Sequence, residues 1–217
     1  KNKSSNFLLI RHDIEFSPER ALMMAELENN MSVNSSYFFQ LRNFAYNITS
    51  SKNIKIIKEI KKMGHKIGIH IHRNDNIIKN KKKLIDFIIT EKRIFELCIG
   101  LEIDRFSFHR PNYFELNSNI EINNFINVYH SKYFTFFKNA IIKNPKIKYF
   151  SDSLHKWDHG YPLLSNKKYK KVHLLTHPYS WSKNGNSNFN NFKNLINENK
   201  LGFIKNLSNE LKKVPKL

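Results

Sequence analysis

A single cysteine, Cys98, stands in this chain of 217 residues, which excludes an intramolecular disulfide. Its neighbours Ile94, Phe95, Leu97 and Ile99 mark a buried helix position rather than a reactive thiol, and a reducing compartment fits. No apolar stretch approaches the ~20 residues needed to span a bilayer, and Phe7 to Ile10 is too short for the core of a signal peptide. The sequence therefore reads as soluble and cytoplasmic. It has no internal repeat and no linker-like stretch, and its 40% hydrophobic content supports one substantial core, so residues 1–217 read as a single domain.

Acidic residues are also few: 18 Asp and Glu against 37 Lys and Arg leave a formal charge of +19. Such an excess invites a nucleic-acid reading, because clustered cations release counterions from a phosphate backbone. Here the lysines are spread along the whole chain among many Asn and Ile, and a run such as Lys79 to Lys83 resembles a solvated helix start. The charge fits attraction to an anionic sugar derivative such as a nucleotide sugar, to an acidic glycan, or to a membrane surface in peripheral contact. It argues against a nucleic-acid groove.

What is present in quantity is a repeated arrangement. Five short apolar runs each end in residues that bind metals or move protons. Phe7 to Ile10 leads into Arg11-His12-Asp13-Ile14-Glu15, and Lys66 to Ile69 into His70-Ile71-His72. Arg105 to Phe108 leads into His109-Arg110-Pro111, Ile147 to Phe150 into Ser151-Asp152-Ser153, and Val172 to Thr176 into His177-Pro178. In parallel α/β folds the carboxyl ends of strands form the ligand-binding face, so such residues converge in space.

Between these runs the sequence predicts helices. Ser17-Pro18 is a helix start, with Ala21, Leu22, Met24, Ala25, Leu27 and Met31 as its apolar positions. Ser51 is expected to cap a second helix that buries Ile56, Ile57, Ile60 and Met63, with Gly64 ending it in a left-handed conformation. A long helix over 80–99 ends at Gly100, and a closing helix follows an Asn-rich loop that begins near Asn184. Further strands are expected at 36–39, 66–72, 104–109, 127–129, 147–150 and 171–176. Alternating strands and helices imply right-handed crossovers and a parallel sheet, here an α/β fold closing into an irregular seven-stranded (β/α) barrel.

The order of these motifs resembles the NodB-type polysaccharide deacetylases of carbohydrate esterase family four over nearly the whole chain. The look is closest to an intracellular branch associated with surface-polysaccharide biosynthesis. The resemblance implies a metal-dependent removal of an acetyl or formyl group from an amino sugar or glycan. By position it implies Asp13 as general base, Glu15 as a metal ligand where the family has Asp, and His70 as the first metal histidine. It further implies that Arg110, followed by Pro111, orients the base, that Trp157 lines the site, and that His177, after Leu175, is the general acid.

Two departures stand out. Glu15 is one methylene longer than the family's Asp, and Asn74 stands four residues after His70 where many relatives have a second metal histidine. Read from the residues themselves, His70 and His72 share one side of a strand, because side chains alternate. With Glu15 they make a three-ligand site that leaves one position open for water; His109 is the alternative third ligand, and Asn74 a further one. The cofactor expected from these ligand types is a divalent metal, Zn2+ first. Asp152, Trp157, Tyr179 and Trp181 are substrate-binding candidates, while His12 reads as a packing residue. A second reading remains open, in which the chain is an inactive glycan-binding homologue of the same fold, with Glu15 and Asn74 as its signs.

Overall fold

The apolar runs that end in polar residues form parallel strands. The computed structural model describes residues 6–73, 78–135, 146–162, 169–182 and 187–211. In chain order the elements are β1 (Phe7–Ile14), α1 (Pro18–Asn30), β2 (Ser36–Phe39), α2 (Ser51–Lys62), β3 (Lys66–Ile71), α3 (Lys81–Ile99) and β4 (Arg105–Phe108). There follow a short α4 (Tyr113–Asn117), β5 (Ile126–Asn127), β6 (Lys148–Ser151), β7 (Lys171–Thr176) and α5 (Asn188–Glu210). The seven strands form one sheet in the order β5-β4-β3-β2-β1-β7-β6, every neighbouring pair parallel. The sheet is a curled, irregular (β/α) barrel. Among the described residues its edge strands β5 and β6 do not pair, so the barrel is open there.

The helices start and stop where side chains satisfy their free backbone groups. Ser17 caps α1 by accepting from the Arg20 N–H, and Pro18 occupies the first turn. The cap of α2 is Ser50 rather than the expected Ser51, since the Ser50 hydroxyl accepts from Asn53 N. Asn80 caps α3, and Gly100 closes it at φ 68°, a left-handed conformation that costs glycine little. Lys81 to Lys83 open that helix exposed, as solvated residues do. On α1 only Ala21 and Ala25 of the expected apolar face are buried, whereas Leu27 and Met31 are 65% and 75% exposed. No helix among the described residues is long and apolar enough to cross a membrane.

Alternation along β1 sorts its side chains. His12 and Ile14 face the helices, and Arg11 and Asp13 face the barrel interior with their carboxyl–guanidinium pair. On the outer side His12 bridges the Thr176 hydroxyl at 2.7 Å and Glu28 at 2.8 Å, tying β1 to β7 and α1. That is the packing role expected of His12. On β3, Gly68 is required by its neighbours: a Cβ there would stand 2.5 Å from the Phe38 ring and 2.8 Å from Arg105. The close approach lets Phe38 fill the barrel below the polar end.

Candidate active site

Because every strand is parallel, all carboxyl ends open at one end of the barrel, over a cavity of about 660 Å³. Asp13, Glu15, His70, His109 and His177 all line it. Its remaining walls are largely aromatic, with Phe16, Tyr129, Tyr149 and Tyr179 among them.

Glu15, His70 and His109 each place one ligand atom within 4.8 Å of the others, the grouping of this kind among the described residues. Glu15 Oε1 lies 2.8 Å from His109 Nδ1 and 3.5 Å from His70 Nε2. The extra methylene of Glu15 therefore still delivers its carboxylate to both histidines. Ser107, opposite His70 in the β3–β4 register, contacts His70 Nδ1 at 2.7 Å and leaves Nε2 directed at the cluster. His70 Nε2 is buried with no hydrogen-bond partner among the described residues, which fits a missing electron-pair acceptor. Burial also lowers the His70 pKa, the neutral form that binds a metal, although Asp13 and Glu15 pull against it.

His72 stands outside this group. The strand ends at Ile71, so the alternation that would bring His72 to the side of His70 stops one residue short. Its ring instead packs edge-on against His109, 4.7 Å between centroids, and Nδ1 lies 3.3 Å from the Arg42 carbonyl. The structure thus brings together the alternative set with His109 rather than the preferred one with His72. Asn74 lies outside the described residues.

The partner of Asp13 is Arg11, not Arg110. Arg11 Nε and Nη2 donate to the two carboxylate oxygens at 2.8 and 2.5 Å, and Nη2 also donates to the Tyr129 hydroxyl at 2.8 Å. Both residues are buried, and the guanidinium lies 4.6 Å from the Tyr129 ring centroid. Burial alone would raise the Asp13 pKa; the Arg11 charge, helped by His70 and by the Arg11 hydrogen bonds, outweighs it and holds the carboxyl at about 2. Arg110 is exposed at the cavity rim, with φ 46°. Arg11→Met should therefore destabilise the fold by about 3–5 kcal/mol, because it strands a buried carboxylate. Urea unfolding at pH 7 measures this, and a loss within experimental error would contradict the pairing.

His177 follows β7 and is held by Asp152, which follows β6. Asp152 Oδ1 lies 2.6 Å from His177 Nδ1, and Oδ2 accepts from the His177 backbone N–H at 3.0 Å and from the Trp181 indole at 2.9 Å. His177 Nε2 then faces Glu15 at 3.8 Å. Burial lowers the His177 pKa, but the Asp152 hydrogen bond and the charges of Glu15, Asp152 and Asp13 more than offset it, and the net shift is upward. The chain after Asp152 turns through two consecutive left-handed residues, Leu154 and His155, both at φ 57°. Such backbone costs of order 1–3 kcal/mol per residue and concentrates at functional sites.

The substrate-binding candidates separate. Tyr179 lines the cavity, whereas Asp152 is engaged in holding His177. Trp157 packs on Tyr161 and is not part of the cavity wall. Trp181 stands beside a neighbouring cleft, its indole N–H bound to Asp152. Sequence reasoning passed over Arg11 and Ser107 as site residues. The signal for Arg11 was available, since it stands two residues before Asp13 on a strand and so shares its side.

No family model matches the chain, and no curated protein matches it by sequence. Solved structures do. The Xyl-CE4 domain of a multidomain xylanase from the hindgut metagenome of Trinervitermes trinervoides is similar over 95% of this chain and 85% of its own, with 12% identity and a TM-score of 0.50. A CE4 family pseudoenzyme from Bacillus anthracis is similar over 92% of this chain, with 12% identity and a TM-score of 0.47. The chitin deacetylase from the fungal pathogen Colletotrichum lindemuthianum is similar over 48% of this chain, with 16% identity and a TM-score of 0.39. The chain spans 62% of the Bacillus anthracis structure and 46% of the fungal one. The fold of this chain is that of the CE4 domains, the NodB-type barrel.

Proposed function

We propose that this chain hydrolyses the N-acyl group of an amino sugar, acetyl or formyl, with a divalent cation held by Glu15, His70 and His109. One observation carries the reading: the three-ligand group, the Arg11–Asp13 pair and the Asp152–His177 pair converge on a single cavity. Two imidazoles and a carboxylate suit zinc. When bound, the ion supplies Lewis acidity at the open end of that group.

The chain's own residues supply the proton transfers. Asp13, ionised and fixed by Arg11, takes a proton from the attacking water. His177, whose protonated form Asp152 favours, gives a proton to the amine nitrogen as the C–N bond breaks. The products are a free amine and a carboxylate. The aromatic walls seat sugar faces and exclude bulk water. The motif resemblance supports a place in surface-polysaccharide synthesis in the cytoplasm.

The raised pKa of His177 sets a pH dependence. An acid with a raised pKa stays protonated to higher pH, so kcat/KM should fall on the basic side only above the ordinary histidine value of ~6.5. Asp152→Asn removes the hydrogen bond and charge that raise it, so the basic limb should move to lower pH. Rate profiles of both proteins test this; an unmoved limb would remove Asp152 from its role.

The decisive assay incubates zinc-loaded protein with N-acetylated and N-formylated amino sugars and detects primary amine and the released acid together. Stoichiometric amine and acid support the hydrolase. No amine from a protein carrying its metal would leave the inactive glycan-binding reading in its place.

A further inference from the structure

A surface helix ordinarily turns its apolar stripe, ~100° wide, toward the core. On α5 the buried residues are Asn191 and Leu195, and most of the large apolar side chains face water instead. Phe189 is 77% and Phe203 68% exposed, and Ile196, Ile204 and Leu207 are exposed as well. At ~100° per residue these five fall within ~100° of arc, on the side turned away from Leu195.

The apolar surface continues on α1. Met23, Leu27 and the capping Met31 are exposed at i, i+4, i+8 spacing, and Met23 and Phe203 line one cleft between the two helices. An exposed apolar surface shared by two helices marks a place where something docks.

Charge selects the occupant. By the same spacing Lys193 and Lys200, both exposed, fall on the apolar arc of α5, with long stems that lie along apolar surface while the ammonium groups stay in a polar layer. Of the two carboxylates of α5, Glu198 is paired with Arg20 at 2.9 Å, and Glu210 comes at the last position of the helix. A second copy of the chain would set this same lysine-bearing face against itself and join two bodies of +19 each, which repulsion disfavours. An anionic lipid surface complements both the lysines and the apolar side chains. Phe and Leu on one side with Lys at its border is the chemistry of a helix that lies in the plane of a bilayer interface.

We propose that α5, with the exposed row of α1 beside it, is a peripheral membrane-docking surface that seats on anionic phospholipid. The same helix lends Phe192 to the wall of the catalytic cavity, so docking along α5 holds that cavity close to the bilayer. The inference does not depend on the hydrolase reading.

Flotation with vesicles tests it, using phosphatidylcholine alone and phosphatidylcholine with about 30% phosphatidylglycerol. The unaltered protein should bind the anionic vesicles about tenfold or more tightly than the neutral ones. Ile196→Gln combined with Phe203→Gln leaves the charge unchanged and should not lower Tm, since both positions are exposed and glutamine is a good helix former. That pair should weaken binding by about tenfold or more. Lys193→Gln combined with Lys200→Gln should weaken binding to the anionic vesicles by a similar factor. Undiminished binding of the Ile196 and Phe203 double variant would reduce the attraction to overall charge and overturn the docking surface. Failure to float with either vesicle, or equal binding to both, would also overturn it. A dimer in sedimentation equilibrium that the same double variant dissociates would put a second copy there in place of lipid.

Discussion

Asp13→Asn is expected to lower turnover by ~10²–10⁴-fold while the metal stays bound. The amide keeps the shape of the carboxylate but cannot accept a proton from water. Asp13 is not one of the three grouped ligands: its Oδ2 stands 3.6 Å from His70 Nε2, behind the closer Glu15 contact. Metal content should therefore match that of the unaltered protein, which separates loss of chemistry from loss of the site. The substitution leaves Arg11 buried beside a neutral group, so stability should also fall, and folded protein must be verified by circular dichroism. Activity within about tenfold of the unaltered protein would remove Asp13 as the base.

His70→Ala is expected to abolish metal binding, and with it activity, whereas His72→Ala should retain about one equivalent of metal. His70 is buried and contributes the unpartnered Nε2, and Ser107 fixes its ring. His72 sits beyond the end of β3 with its ring against His109. Losing a direct ligand should cost more than the ~10–100-fold that outer partners cost. Elemental analysis of both variants, reconstituted with zinc, reads the difference. Loss of metal from the His72 variant alone would restore the strand-pair arrangement that alternation suggests.

Much of the site was legible because the apolar runs ended in chemistry. Strands 36–39 and 171–176 came out at the expected bounds, and the convergence of Asp13, Glu15, His70 and His177 follows from parallel strands alone. What escaped depended on where β3 stops and on pairings across strands. A strand one residue shorter than expected puts His109, rather than His72, with Glu15 and His70 in the group that could hold a metal. Ser107 meets His70 only through the β3–β4 register, and Asp152 meets His177 only because β6 lies beside β7. Register is a tertiary property, set by the packed sheet and not by either strand's own residues. Arg11 is a different case: the family resemblance implies Arg110 as the partner of Asp13, although strand alternation places Arg11 beside it.

The Arg11–Asp13 pair also bears on how this protein can change. Two buried ions close the floor of the active site, and apolar residues of similar volume in such places are often neutral or stabilising by ~1–4 kcal/mol. Selection for thermal endurance alone would thus tend to erase the pair, and a lineage that made that exchange would gain a sturdier barrel and lose the proposed base in the same step. Removing either partner singly is the costly route, so Arg11 and Asp13 should persist or disappear together. In any set of relatives, hydrophobic residues at both positions would mark the members that lack the proposed base.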